Sequence, residues 1–445
     1  MTVRSVVGRA SPVEAPGAVS RRLGAPAATT LVVASMVGTG IFTTTGLLVR
    51  DLQAPVTVLA AWAVGGVLAL CGALSYAELG AALPRNGGEY QLLGRIYHPA
   101  AGFAAGVVSL VVGFAAPLAA SALAFGHYLS AILPGVRPAA AGIAIVIVLS
   151  ALHATHVRLG GWVLTAATAL EAALMVAFIV LGLGWSQPSQ LFAGPVPPLA
   201  AVGTPAFAVA LIYVSFAYSG WNAAVYVAGE VTDPARAVPR ALLVGTSVVA
   251  ALYLALNAVF LAAAPPGELA GVVEVGHVAA ARLLGPEAGR WMSALIALVL
   301  GSSVSALLMA GPRVCDRMGL DHPALAVLSW RTRHGGPAVA VALQAALAVA
   351  MIATASFGTL LRYIGFTLSL VAALTVLGVI VLRWREPGLP RPCRAWGYPV
   401  TPLLFVAMSG WMALHALVEV PASALAGLGT VLGALGLYGL LGRGR

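Results

Sequence analysis

The sequence predicts an all-α polytopic membrane protein, and three observations carry the prediction. Of 445 residues, 60% are hydrophobic and only 9% are charged, and the mean hydropathy is +0.97. No soluble domain of this size hides so much apolar surface. Apolar runs of about 20 residues recur along the chain, the length a helix needs to cross a hydrocarbon core roughly 30 Å thick. Two runs are interrupted by small residues: Met36-Val37-Gly38-Thr39-Gly40-Ile41-Phe42 in the first and Phe216-Ala217-Tyr218-Ser219-Gly220-Trp221 in the sixth. Glycine, threonine and serine inside a span weaken a helix where lipid supplies no replacement hydrogen bonds. Such breaks are tolerated only where the freed backbone faces protein or a water-filled cavity. Breaks in the first span of two successive five-helix halves point to a binding site at the bilayer midplane, between inverted repeats.

Twelve spans are expected, near 25–49, 55–83, 99–131, 138–155, 160–184, 203–229, 237–263, 286–317, 337–355, 357–383, 398–418 and 422–442. Helices 1 to 5 form a first repeat over 25–184, helices 6 to 10 a second over 203–383, and helices 11 and 12 follow over 398–442. Residues 1–24 are expected as a polar cytoplasmic tail. Residues 264–285 make the longest outer loop. Pro265, Pro266, Gly267, Glu268 and Glu274 begin it and a short helical pattern follows, readable as an external lid or as a connector.

All 24 basic residues are arginine, and the net charge is +10. This is no nucleic-acid footprint, because the arginines sit in short loops between spans, the positive-inside pattern. With the N-terminus inside, only Arg50, Arg137, Arg282, Arg290 and Arg362 fall outside. Both termini are therefore expected in the cytoplasm, and the protein in the plasma (cell inner) membrane. Cys71, Cys315 and Cys393 are odd in number and scattered, which gives neither a disulfide framework nor a metal site. Arg21-Arg22 before an apolar run imitates a twin-arginine signal, but the run is longer than a signal core and is read as the first span. No phosphate-binding loop or catalytic triad appears, so no enzyme activity, catalytic residue or cofactor is expected.

The two breaks suggest complementary chemistry. Around Gly38-Thr39-Gly40 the helix unwinds and the next half-helix offers free N–H groups and partial positive charge, suited to a carboxylate. Glycine spaced this way also serves close helix packing. Around Ala217 to Gly220, carbonyls at the end of a half-helix become free acceptors suited to an ammonium group. Together they match an amino-acid zwitterion without a charged side chain. Phe216, Tyr218 and Trp221 add bulk, as a cover over the substrate or as an aromatic packing cluster. Two polar stretches, Tyr76-Ala77-Glu78-Leu79-Gly80 to Glu89-Tyr90 and Gly229 to Arg240, offer an inner-gate network or plain loop caps.

Gly-Thr-Gly-Ile-Phe in helix 1, Tyr-Ala-Glu-Leu-Gly and Gly-Gly-Glu-Tyr after helix 2, and Phe-Ala-Tyr-Ser-Gly-Trp in helix 6 resemble the amino acid–polyamine–organocation (APC) superfamily of permeases. Glu-Val-x-x-Pro-x-x-x-x-Pro-Arg at 230–240 and Gly311-Pro312-Arg313 fit too, and the character is that of the L-type amino-acid transporter branch. The resemblance covers roughly residues 25–440. It implies a leucine-transporter-type fold: 5+5 inverted repeats, twelve helices, helices 1 and 6 broken at the midplane. It implies that Val37, Gly38, Thr39, Gly40 and Ile41 bind the substrate carboxylate, through amides and the Thr39 hydroxyl. Carbonyls of Phe216, Ala217 and Ser219 would bind the amine, with Tyr218 and Gly220 in the same segment and Phe216 as the outer gate.

Many proton-linked members carry a helix-5 lysine whose ammonium replaces a sodium ion. Matching Val157-Arg158 and Thr165 to the family pattern puts Thr168 at that place, and this chain has no lysine. Glu171, three residues on and on the same helix face, is the candidate proton-coupling group. Its alternative role is a structural hydrogen bond. Ser302, Ser303 and Ser305 in helix 8 offer a sodium site or close packing. His127, His153, His156 and His415 show no metal-site spacing. With no carboxylate visible beside the second break, neutral amino acids are the favoured substrates, moved by a proton-coupled symporter or an exchanger. The other readings are an amine or polyamine permease of the same superfamily, and a membrane receptor or scaffold with little flux. Some family members pair with a single-span glycoprotein through a cysteine outside helix 3. No cysteine lies near 132–138, so no disulfide-linked partner is expected.

Overall fold

The computed structural model describes residues 23–155, 161–192, 198–321, 323–330, 332 and 337–442. The tail 1–22, His156, Val157 and Arg158 lie outside the described residues, and so do the side chains of Thr165 and Thr168. Regular structure among the described residues is helical, apart from an isolated bridge between Leu23 and Val231. The helices are α1 (Ala25–Met36), α2 (Thr39–Leu52), α3 (Pro55–Ala82), α4 (Gly88–Ile96) and α5 (Pro99–Val108). A π-helical stretch (Ser109–Ala115) leads into α6 (Ala116–Ser130), then α7 (Pro138–Thr155) and α8 (Gly161–Trp185). Next come α9 (Pro198–Ala201), α10 (Pro205–Tyr218), α11 (Ala223–Tyr226), α12 (Pro234–Ala263), α13 (Pro266–Leu269) and α14 (Val275–Leu284). The chain closes with α15 (Pro286–Asp321), α16 (Ala338–Thr354), α17 (Phe357–Arg385), α18 (Val400–Glu419) and α19 (Pro421–Gly442).

Among the described residues, eight stretches are long and apolar enough to cross a membrane: α1 with α2, α3, α5 with α6, α12, α15, α17, α18 and α19. Shorter apolar helices stand at four further expected positions, within α7, α8, α10 and α16. The protein is thus a multi-pass membrane protein. Proline opens many of these helices, at Pro55, Pro99, Pro138, Pro234, Pro286 and Pro421. It lacks the N–H that would go unpaired there, and its φ is already helical. Polar caps serve others: Thr204 Oγ1 accepts the Phe207 amide at 3.3 Å, and Ser356 Oγ accepts the Thr359 amide at 3.2 Å. The π-helical stretch lies just before Pro117, whose ring and missing N–H disfavour a regular turn at that point.

The sixth expected span, near 203–229, departs from a simple pair of half-helices. α10 stops at Tyr218, and only the four residues of α11 and a 3-10 turn at Ala228–Glu230 follow. Gly220 at φ +101° turns the chain sharply just after α10.

α3 packs on α10, α12 and α18. The two halves of the first span have unequal surroundings. α1 packs on α12 and α11, and exposes Pro26, Ala27 and Thr30 on one face and Ser35 near its end. α2 is buried from Thr39 to Val49, held by α10, α3, α13 and α14. The loop helices α13 and α14 are a fixed cover over α2: the Gly271 amide donates to Gly46 O at 2.7 Å, and Gly276 N to the Tyr128 hydroxyl at 3.3 Å.

Candidate functional site

The two sequence breaks meet in space. Helix α1 ends at Met36 and α2 starts at Thr39, leaving Val37 and Gly38 extended between them. A Cβ on Gly40 would lie 2.5 Å from Ala217 Cα, and a Cβ on Gly220 would fall on the Ser35 carbonyl oxygen. Glycine is therefore the contact that lets the two backbones cross. Gly38 differs: a Cβ there would meet nothing within 4 Å, so open space adjoins it. Glycine at 38 keeps that space clear beside the start of α2.

The amides of Thr39, Gly40 and Ile41 begin α2 and donate to no carbonyl among the described residues. They are the unpaired first-turn donors that every helix leaves. Thr39 is fixed from the side, its hydroxyl 2.6 Å from that of Ser121 on α6. At the second break, Phe216 O accepts the Ser219 amide at 3.0 Å, so the turn itself occupies that carbonyl. Ser219 O accepts no hydrogen bond among the described residues. Free amides on one side and a free carbonyl on the other thus flank the crossing, and each suits one end of a zwitterion.

Aromatic residues around the second break divide in role. Phe216 is buried next to the crossing, while Tyr218 packs away from it, its hydroxyl donating to Trp62 O at 3.1 Å. Trp221 stacks edge-on against Tyr76 and Phe405. These contacts give Tyr218 and Trp221 side chains a packing role.

Tyr253 on α12 is the site residue that sequence reasoning missed. Its hydroxyl lies 2.6 Å from Met36 O and 3.3 Å from Ala217 O. The single proton goes to the nearer carbonyl, and the one side chain bridges both breaks. Asn257, a turn further on, donates to Tyr253 O at 2.8 Å and accepts from the Thr45 hydroxyl of α2. The available signal was an asparagine inside an apolar run, since intramembrane polar residues are costly and tend to be functional.

Glu171 on α8 is 5% exposed, and its Oε1 has no hydrogen-bond partner among the described residues. Its helix α8 packs on α12, which carries Tyr253. The helix-8 serines are engaged elsewhere: Ser305 pairs with His153 Nε2 at 2.7 Å, and Ser303 donates back to Val299 O at 3.2 Å. Ser302 is half-buried on the same helix. No group of three or more metal-ligating side chains occurs among the described residues.

The two polar stretches singled out in the sequence meet at the end of α3. Glu89 accepts from the Tyr76 hydroxyl at 2.9 Å and from the Asn222 amide of the second break. Asn86 binds Glu230 at 2.9 Å and receives the Gly229 amide. Glu78, 2% exposed, takes both Arg383 nitrogens at 2.9 and 2.6 Å and the Ala395 amide at 2.7 Å. Such a bidentate pair is the strong form of carboxylate recognition. The second break is thus tied, through Asn222 and Glu89, to the loops closing one end of the bundle, so a carboxylate does stand beside it, which the sequence, with Glu89 133 residues away in the chain, did not show.

This arrangement of broken, crossed helices in an apolar bundle defines a transport-type membrane protein. The model of the family described as "Amino acid permease" matches residues 23–427, and the chain belongs to that family, within the APC superfamily and its L-type branch. Among curated proteins it is 29% identical over 408 residues to rat "Large neutral amino acids transporter small subunit 2", covering 88% of this chain and 75% of that protein. It is 30% identical to mouse "Asc-type amino acid transporter 1" over 399 residues, 85% of this chain and 73% of that one. Human "b(0,+)-type amino acid transporter 1" is 28% identical over 417 residues, 90% and 83% respectively.

Proposed function

We propose that this permease is a secondary transporter of neutral amino acids working by alternating access. The observation that carries the reading is the crossing itself: free α2 amides, a free Ser219 carbonyl, and open space beside Gly38. The substrate carboxylate would lie on the amides of Gly38 to Ile41 with the Thr39 hydroxyl beside it. Its amine would lie on the carbonyls at Ala217 and Ser219, and Phe216 would close over it. The relatives' names support the class, one of them specifying large neutral amino acids.

The fold reading is a 5+5 inverted repeat with twelve spans, a first repeat over 25–184, a second over 203–383 and two further helices over 398–442. Arginine asymmetry supports cytoplasmic termini in the plasma membrane. In that orientation the exposed face of α1 and the encased α2 correspond to an inward-open state. Glu171 is the proposed proton-coupling group, acting on the breaks through Tyr253. No disulfide-linked partner is proposed, because no cysteine lies near 132–138.

Radiolabelled neutral amino-acid uptake into proteoliposomes tests this, comparing wild type with Glu171→Gln with and without an inward proton gradient. Gradient-driven accumulation that the variant alone loses establishes coupling at Glu171. Uptake that requires internal amino acid and ignores both makes the protein an exchanger. Inhibition by amines lacking a carboxylate as strong as by amino acids would reject the zwitterion reading.

A further inference from the structure

We propose that Arg362 on α17 is a second carboxylate-binding point, which takes the substrate's carboxylate on the outer side before it reaches the α2 amides. The proposal rests on the transport reading and on the orientation that arginine asymmetry supports. Arg362 is half-buried. Its Nη1 donates to the hydroxyl of the buried Tyr213 on α10 at 2.9 Å, and its guanidinium carbon lies 5.7 Å from the centre of that ring. Nη2 reaches Thr359 Oγ1 only at 3.5 Å. Nε is sealed from solvent and has no hydrogen-bond partner among the described residues. The Nε–Nη2 edge of the planar guanidinium is therefore left over.

Elsewhere in this protein that edge holds carboxylates. Arg50 takes Asp51, Arg282 takes Glu268 and Arg383 takes Glu78, each through Nε and Nη2. The edge presents two parallel N–H groups at the spacing of two carboxylate oxygens. Arg362 has no such partner among the described residues. Asp51, Glu268, Glu274 and Glu287, acids of the outer side in this orientation, are each engaged by another basic residue. Glu419, the remaining outer acid, is exposed at the end of α18 and makes no ion pair with Arg362. A half-buried guanidinium without a counter-charge is costly, and an arriving carboxylate relieves that cost.

The helices that form the crossing also lead to Arg362. Tyr213 precedes Ala217 by one turn on the same face of α10, about 6 Å along the axis, and Ala217 is the residue against which Gly40 crosses. Phe216, the proposed gate, follows Tyr213 by three residues on that face, so a carboxylate at Arg362 waits outside the gate. Gly358, one turn before Arg362 on α17, would place a Cβ 3.4 Å from the Tyr213 hydroxyl and 3.8 Å from Leu47 Cδ1 of α2. Leu47 adjoins Gly46, whose carbonyl takes the Gly271 amide of the cover. From Leu47 back to Thr39, where the free amides begin, α2 runs about 12 Å. The unpaired edge therefore belongs to the level of the cover, and the crossing lies below it. The transported amino acid is the molecule that brings a carboxylate along this route.

The test is the sidedness of the defect. Transport of radiolabelled leucine and alanine is measured in intact cells, which present the outer face, and in inside-out membrane vesicles, which present the inner one. Arg362→Gln should raise the KM in intact cells by about tenfold, the loss of one charge-assisted pair, and leave the vesicle KM within about twofold. Arg362→Lys keeps the charge without the fork and should fall between wild type and Arg362→Gln. Tyr213→Phe removes the partner but keeps the guanidinium, and should not raise the outer KM. An unchanged outer KM in Arg362→Gln overturns the assignment. Equal shifts on both faces, shared by Tyr213→Phe, reduce Arg362 to a fastener of α17 on α10 and overturn it too. Replacing external chloride by gluconate should leave the wild-type KM unchanged. A chloride dependence that Arg362→Gln loses would make this an inorganic-anion site instead. Should Arg362→Gln not fold, Arg362→Lys decides, a raised outer KM supporting the assignment and an unchanged one overturning it. Wild type that moves neither amino acid overturns the transport reading itself, and the assignment with it.

Discussion

The two helix breaks use glycine for opposite purposes. At the second break Gly220 is required by its own geometry: φ is +101° and the Ser35 carbonyl occupies the space a Cβ would take. At the first break Gly38 is extended and borders open space, so nothing in the backbone demands glycine there. The same residue type marks a structural constraint in one place and borders open space in the other. Sequence alone shows two glycine interruptions and no difference between them.

Substitutions at these glycines sharpen that contrast, and the largest effect is expected at the second break. Gly220→Ala combines a left-handed conformation with overlap against backbone, together worth about 2–4 kcal/mol. A thermal-shift assay in detergent should show a marked loss of stability, and uptake should fall with it. Gly40→Ala meets Ala217 Cα without the φ penalty, so about 1–3 kcal/mol is expected. An unchanged melting temperature for both would mean that the helices do not cross as described.

Tyr253→Phe comes next. It removes the one side chain that bridges Met36 O and Ala217 O, for about 1 kcal/mol of stability. Uptake should drop further than that loss explains, because the relative position of the two breaks is released. A variant with wild-type uptake would reduce Tyr253 to a packing residue.

Gly38→Ala should leave stability within about 0.5 kcal/mol, since the added methyl meets nothing. Substrate affinity should nevertheless weaken, read as a raised KM for uptake. Wild-type KM would place the substrate elsewhere.

The smallest expected effect concerns the cover. Burial alone raises the Glu274 pKa, but its hydrogen bond and charge interaction with His127 at 3.1 Å bring the net value below the ordinary carboxylate range. A depressed folded-state pKa adds stability above the unfolded value and loses it as pH falls through the folded value. Hydrogen exchange in α13 and α14 should therefore be unchanged near neutrality and quicken only below the ordinary carboxylate range. Glu274→Gln should abolish that acid step.

Much of the fold was legible because the bilayer imposes it. Apolar length sets where helices run, and the eight long spans fall where the hydropathy put them. Both breaks were legible too, because Gly-Thr-Gly and Ser-Gly weaken a helix locally. Their partners were not. Tyr253 reads as one more aromatic in an apolar run until Met36 and Ala217 are brought to it, 217 and 36 residues away in the chain. Glu78 and Glu89 belong to one suspected gate stretch, yet the first binds Arg383 and the second binds Asn222 of the break.

The sequence by itself determined a multi-pass helical permease and the two segments where its helices fail, because hydropathy and backbone propensity act over neighbouring residues. Only the tertiary structure decided which small residue makes a crossing and which makes a space, and which carboxylate is clamped by arginine. Those outcomes depend on atoms that approach from distant parts of the chain, and their cost or benefit exists only once the helices are packed.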